Sequence, residues 1–75
     1  SPGPMRTLAG AAIGGARKTY RATEANAPLR SNATLDAVGG TAVYLASDAG
    51  AFTTGQIIFV DGGYHAIGMA QPENL

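Results

Sequence analysis

Few side chains in this sequence can do chemistry, and their types narrow what that chemistry is. There is one histidine, His65, one lysine, Lys18, and three tyrosines, Tyr20, Tyr44 and Tyr64. Cysteine is absent, which removes disulfides and thiolate metal sites together. No second histidine, cysteine or carboxylate stands at ligand spacing from His65, so a metal site is not expected. A serine-type triad would have to be built on His65, and no nucleophile-elbow motif accompanies it. His65 is therefore expected to have a structural or surface role. Asp61, between an apolar run and Gly62-Gly63, is expected to bond turn amides rather than act as an acid or base. Arg6 and Thr7, just after a pair of prolines, offer donors to an anion. The spacing from Gly10 to Gly15 invites comparison with a phosphate-binding P-loop. That motif needs lysine and then serine or threonine directly after the second glycine, and here Ala16-Arg17 intervene before Lys18-Thr19.

The elements that must position these residues are arranged around Thr53-Thr54-Gly55-Gln56-Ile57-Ile58-Phe59-Val60-Asp61-Gly62-Gly63-Tyr64. Residues 56–60 read as a strand, with β-branched and aromatic side chains and a glycine pair to make the exit. The run does not alternate apolar with polar, so it reads as buried on both faces, the habit of a parallel sheet covered by helices. No second convincing strand is visible in the chain. Upstream, Ser1-Pro2-Gly3-Pro4 reads as a sharp turn, and residues 10–15 as a small-residue segment that is either a plain flexible loop or a glycine-hinged substrate lid. A helix is expected over 16–27, with Ala16, Tyr20, Thr23 and Ala27 on one face. Arg17, Arg21 and Glu24 form its solvated side, Arg21 and Glu24 paired weakly, and Pro28 ends it. A second helix is expected over 34–47, with Thr34 as N-cap, Asp36 in the first turn, and Leu35, Val38, Ala42 and Leu45 as its apolar stripe. Gly39-Gly40 inside that helix cost roughly 1 kcal/mol each against alanine, which suggests close approach of another backbone. The tail, 64–75, carries Ile67 and Met69, which are expected to dock on some surface.

Composition sets the outer bounds. The chain has 75 residues, five basic and five acidic side chains, and 11 glycines. Charge so thin and balanced excludes the basic stripe of a nucleic-acid binder. No apolar run approaches membrane-spanning length, and the amino terminus has no signal-peptide pattern. A cytoplasmic setting is the default expectation. A glycine- and alanine-rich chain of this length has little large apolar surface to bury, so it is expected to be one part of a larger fold or of an obligate assembly.

Several co-linear motifs then carry a resemblance over nearly the whole chain. Ser1-Pro2-Gly3-Pro4-Met5-Arg6-Thr7, Pro28-Leu29-Arg30, Val38 with Leu45-Ala46-Ser47-Asp48, Thr54-Gly55-Gln56-Ile57 and Val60-Asp61-Gly62-Gly63 resemble the carboxy-terminal third of short-chain dehydrogenases/reductases. Within that superfamily, Gly3 to Ala9, the glycine-rich segment after it, Asn26-Ala27-Pro28-Leu29-Arg30, and Gly62-Gly63-Tyr64 running to Gly68-Met69 are similar to NADH-dependent enoyl-acyl carrier protein reductases. The related 3-oxoacyl-acyl carrier protein reductases usually have an acidic residue after the threonine, where this chain has Leu8.

The resemblance implies an α/β fold, a Rossmann-type parallel sheet of which this chain supplies the last strand and flanking helices. It implies NADH as cofactor, contacted by Gly3, Met5, Arg6, Thr7, Leu8 and Ala9, with the Met5 backbone at the nicotinamide carboxamide and the Thr7 hydroxyl and neighbouring amides at the pyrophosphate. It further implies that Ala9, Ile13 and Ala16 border the channel for an acyl carrier protein-linked enoyl thioester. The family commonly has a bulky aromatic residue where Ala16 stands, so the channel is expected to differ in shape. The family is usually tetrameric, which suits an apolar tail and a 34–47 helix on which Ala37, Thr41 and Tyr44 make a second, semi-apolar face. Its catalytic pair is a tyrosine followed by a lysine. Lys18 precedes Tyr20, Tyr44 and Tyr64, so no catalytic residue is expected in this chain, and the remainder of the reductase must supply the pair. Two other readings remain beside this one. One is another reductase of the same superfamily with a different carbonyl substrate; the other is a non-catalytic interaction module.

Overall fold

A computed structural model of the chain describes residues 1–6 and 15–69. Among the described residues, two α-helices, α1 (Ala16–Asn26) and α2 (Leu35–Ala46), are followed by two single turns of 3₁₀ helix, Asp48–Gly50 and Tyr64–Ala66. An extended segment, residues 57–60, runs between the latter two.

Helix α1 starts from Gly15, whose φ of 87° puts it in the left-handed region without a side-chain cap. Thr23, Asn26 and Ala27 are buried and Ala16 and Tyr20 half-buried, while Arg17, Arg21 and Glu24 face solvent. The expected pairing of Arg21 with Glu24 does not form; the ion pair among the described residues is elsewhere, between His65 and Asp61. The helix stops ahead of Pro28, and its end is closed by side chains. Asn26 donates through Nδ2 to the Ala22 carbonyl at 2.8 Å. Arg30, in the left-handed region at φ 52°, donates through Nη1 to the carbonyls of Asn26 and Ala27 at 3.1 and 2.6 Å. Carbonyls left without partners at a helix end are a natural target for a cation.

Helix α2 has the cap its sequence promises. The Thr34 hydroxyl accepts from the Ala37 amide at 3.0 Å, and Asp36 lies in the first turn. Gly50 then lets the Asp48–Gly50 turn fold back on the helix: a Cβ there would meet the Tyr44 carbonyl and stand 3.0 Å from the Leu45 Cα. The Tyr44 and Thr53 hydroxyls bond at 2.7 Å across the same return. Gly39 and Gly40 differ from expectation. Among the described residues nothing lies within 4 Å of where their Cβ atoms would be, so no described backbone approaches them.

The expected strand differs as well. Residues 58–60 pair with residues 1–3 in parallel register: Ser1 N donates to the Ile58 carbonyl at 2.8 Å. The Val60 amide donates to Ser1, and the Gly3 amide to Val60, both at 3.1 Å. Pro2 sits opposite Val60 as the bridging residue, where the ladder uses its neighbours' groups and not the N–H it lacks. That single bridge is isolated, so among the described residues there is extended backbone with one parallel contact and no sheet. The expected strand is thus extended backbone here and not part of a sheet. The physical cause is a lack of partners. The pairing ends where Gly62 turns away at φ 67°. Two open grooves border the extended segment. Ile57 is 73% exposed and Phe59 42%, against the expectation of burial on both faces.

Burial concentrates where α1 ends. Ala27 is fully buried, the one buried hydrophobic residue among those described. Around it, the Leu29 amide donates to the Gly62 carbonyl at 3.0 Å, and Gly63 packs on the Pro28 ring. The Asn32 Nδ2 donates to the Tyr20 carbonyl at 2.7 Å. The end of α1, the loop after it and the turn at residues 61–63 thus form one unit. In the tail, Ile67 is half-buried but Met69 is 76% exposed, so its expected docking is not made among the described residues.

Candidate functional site

The candidate site lies where residues 3–6 leave the parallel contact. Gly3 is held on two sides. Its amide is bonded to Val60, and its Cα lies against Asp61, where an added Cβ would stand 3.0 Å from the Asp61 Cβ and 3.2 Å from its Cα. Only glycine fits without moving one of the two segments. Met5 is half-buried, and its backbone N–H and C=O make no bond among the described residues. Such groups suit a planar amide ligand, which needs one donor and one acceptor. Arg6 stretches over Tyr20, its guanidinium carbon 5.1 Å from the ring centroid, a cation–π contact that ties this loop to α1.

Tyr20 lies one turn beyond Ala16, so the two share a face of α1. The structure therefore brings Gly3, Met5 and Arg6 together on one loop and sets that loop beside the face that begins with Ala16. Thr7, Leu8, Ala9 and Ile13, with the segment read as a loop or lid, lie outside the described residues.

The floor of this site is the turn that follows Val60. Gly62 and Gly63 take φ values of 67° and 90°, the left-handed positions that a side chain disfavours. They curl the chain so that the amides of Gly63 and His65 both reach the Asp61 carboxylate, at 2.9 Å to Oδ1 and 3.1 Å to Oδ2. His65 adds its ring. Nδ1 stands 3.1 Å from Asp61 Oδ2, and the imidazole stacks on Phe59 with centroids 3.8 Å apart and planes 7° from parallel. Burial works to raise the Asp61 pKa. It is outweighed by the Gly63 amide, the His65 ring, the His65 amide and the field of the imidazole, which together hold the carboxyl below the usual 3.8.

Asp61 bonds turn amides, in line with the reading of its sequence position. The reading missed its pairing with His65 and the stack on Phe59. The available signal was Asp-Gly-Gly-x-His itself, since two left-handed glycines return the chain on itself within four residues. It also missed Tyr20 as the seat for Arg6. Among the described residues there is no group of three histidine, cysteine or acidic side chains able to hold a metal. No described helix is long and apolar enough to cross a membrane. What the arrangement offers chemically is recognition by backbone groups and one cation, with no tyrosine–lysine pair ordered as the resemblance requires.

Comparison with known proteins places the chain in a family. A family profile described as Enoyl-(Acyl carrier protein) reductase matches residues 1–65. The NADH enoyl-acyl-carrier-protein reductase FabI of a Synechocystis species is 49% identical over 69 residues, covering 92% of this chain and 27% of that protein. The second such reductase of Rhizobium meliloti is 45% identical over all 75 residues, 28% of its own length. Among solved structures, the crystal structure of FabI from Candidatus Liberibacter asiaticus superposes with a TM-score of 0.86 at 39% identity, over 95% of this chain and 28% of that one. The chain thus spans little more than a quarter of the length of the relatives it matches. With a profile match over most of its residues and close relatives of one kind, the chain belongs to the enoyl-(acyl carrier protein) reductase family.

Proposed function

We propose that this chain is the carboxy-terminal part of an NADH-dependent enoyl-acyl carrier protein reductase, which reduces the trans-2 double bond of acyl thioesters in fatty-acid synthesis. The observation that carries the reading is the family match over residues 1–65, joined to relatives named as NADH reductases of this kind. In this reading residues 56–60 are the last strand of a Rossmann-type parallel sheet whose other strands lie outside the chain. The parallel contact between Pro2 and Val60 supports that placement. Gly3, Met5, Arg6, Thr7, Leu8 and Ala9 contact the cofactor, and Ala9, Ile13 and Ala16 border the acyl channel.

The division of labour follows from what each group can do. When bound, NADH supplies hydride to the β-carbon of the enoyl thioester. The N–H and C=O of Met5, without partners among the described residues, suit its carboxamide and would orient the nicotinamide ring. Donors at Arg6 and Thr7 suit the pyrophosphate. The tyrosine–lysine pair that polarises the thioester carbonyl belongs to the remainder of the reductase. The assembly is a cytoplasmic homotetramer, a state supported by the exposed apolar surface of α2 and the open positions at Gly39 and Gly40.

The test is an assay of the full-length protein that carries this chain, with NADH and crotonyl thioester. Thioester-dependent oxidation of NADH is the expected result. Turnover of 3-oxoacyl but not enoyl thioesters would move the protein to a neighbouring branch of the superfamily and overturn the proposal.

A further inference from the structure

We propose that His65 is a positioning residue for the cofactor loop: through Asp61 it fixes the backbone against which Gly3 rests, and so sets where the loop to Met5 and Arg6 begins. This rests on the reading of residues 3–9 as the NADH loop and adds to it a residue that stands outside that loop.

Three contacts close a ring around Gly3. Val60 takes the Gly3 amide at 3.1 Å. Asp61 presents its Cβ and Cα to the face where Gly3 has no side chain. Phe59, the residue before Val60, holds the His65 imidazole by stacking at 3.8 Å, and that ring returns to Asp61 through Nδ1 at 3.1 Å. The chain from 59 to 61 is thereby clipped at both ends by one side chain, four residues past the carboxylate it bonds.

Burial does not explain that position, because the His65 side chain is 45% exposed while that of Asp61 is 10% exposed. The imidazole is held by a directional donor–acceptor pair and a parallel stack, both of which specify orientation. Asp61 in turn has both oxygens engaged by amides of its own turn, at Gly63 and His65. A carboxylate bound by several donors cannot swing, and the backbone that supplies the amides is held with it. Gly3 leans on that backbone at a distance with no slack for a methyl group. A shift of the turn therefore moves the start of the loop, and small displacements of positioning groups carry large costs in ligand binding.

The experiment uses the full-length protein and follows NADH binding by fluorescence titration, with kcat at saturating NADH and thermal midpoint measured beside it. His65→Phe keeps a ring to stack on Phe59 and removes the donor to Asp61. It should weaken NADH binding by roughly threefold to tenfold, with kcat changed by less than about twofold. His65→Asn, whose amide stands near the place of Nδ1, should restore most of the affinity. Gly3→Ala pushes directly on Asp61, so combining it with His65→Phe should be non-additive, the second change costing clearly less once the first is present.

Additive effects on NADH affinity, or a fall in thermal midpoint with affinity unchanged, would overturn the inference and leave His65 as a stabilising residue only. If His65→Phe does not fold, His65→Leu, which also lacks the donor, combined with Gly3→Ala runs the same cycle. A wild-type protein that binds no NADH would instead remove the cofactor reading itself, a result distinct from either outcome of the cycle.

Discussion

At the scale of single residues, Asp61 is the most constrained group described. Its carboxylate accepts from two backbone amides and the His65 ring while itself 8% exposed. Its pKa is lowered from 3.8, since those donors outweigh the effect of burial. The sign follows from linkage. A carboxyl whose folded pKa lies below its unfolded value contributes stability that is fully present above the unfolded value. That contribution is lost as pH falls through the folded one. The Gly63 amide proton should therefore report a titration with its midpoint below pH 3.8; a midpoint at or above that value would contradict the hydrogen bonding described. Gly62 gives a second residue-scale test. At φ 67°, with the Ser31 carbonyl where a Cβ would go, Gly62→Ala combines backbone strain with a steric clash. It should destabilise the full-length protein by roughly 1–3 kcal/mol in urea unfolding.

At the scale of elements, what the sequence showed was what is decided locally. Thr34 with Asp36 and the stripe after them specify the start of α2 through neighbours three or four residues away, and the helix runs Leu35–Ala46 from that cap. Thr34→Ala should lower stability by about 1 kcal/mol, read as a reduced urea midpoint with unchanged slope. Pro28 marks the end of α1 for an equally local reason. The strand was less legible, because a strand depends on partners distant in sequence. Its only partner among the described residues, residues 1–3, carries a proline that argues against pairing until the register shows that the missing N–H is not needed. The site divides in the same way. Asp61 as a turn acceptor and Gly62-Gly63 as left-handed positions could be read from residue types. The stack of His65 on Phe59 and the seat of Arg6 on Tyr20 could not, since both depend on how separate segments meet. The glycines at 39 and 40 carry a cost that nothing among the described residues explains.

At the scale of the whole molecule, the apolar surface is spread outward. Leu29, Leu35, Val43, Phe52, Ile57 and Met69 are each more than 60% exposed, while Ala27 alone is a buried hydrophobic residue among those described. A core so small does not offset the conformational entropy of ordering the chain. The 75-residue polypeptide by itself should show a gradual loss of helical signal on heating, with no cooperative transition. A sharp two-state melt would favour an independent interaction module over a part of a larger reductase.

The central claim, that residues 3–9 form the cofactor loop of a family reductase, is tested most directly by hydrogen exchange on the full-length protein with and without NADH. The account predicts that saturating NADH slows exchange in the peptide spanning residues 3–9, while peptides from the middle of α2 change little. Protection elsewhere with residues 3–9 unaffected would contradict it.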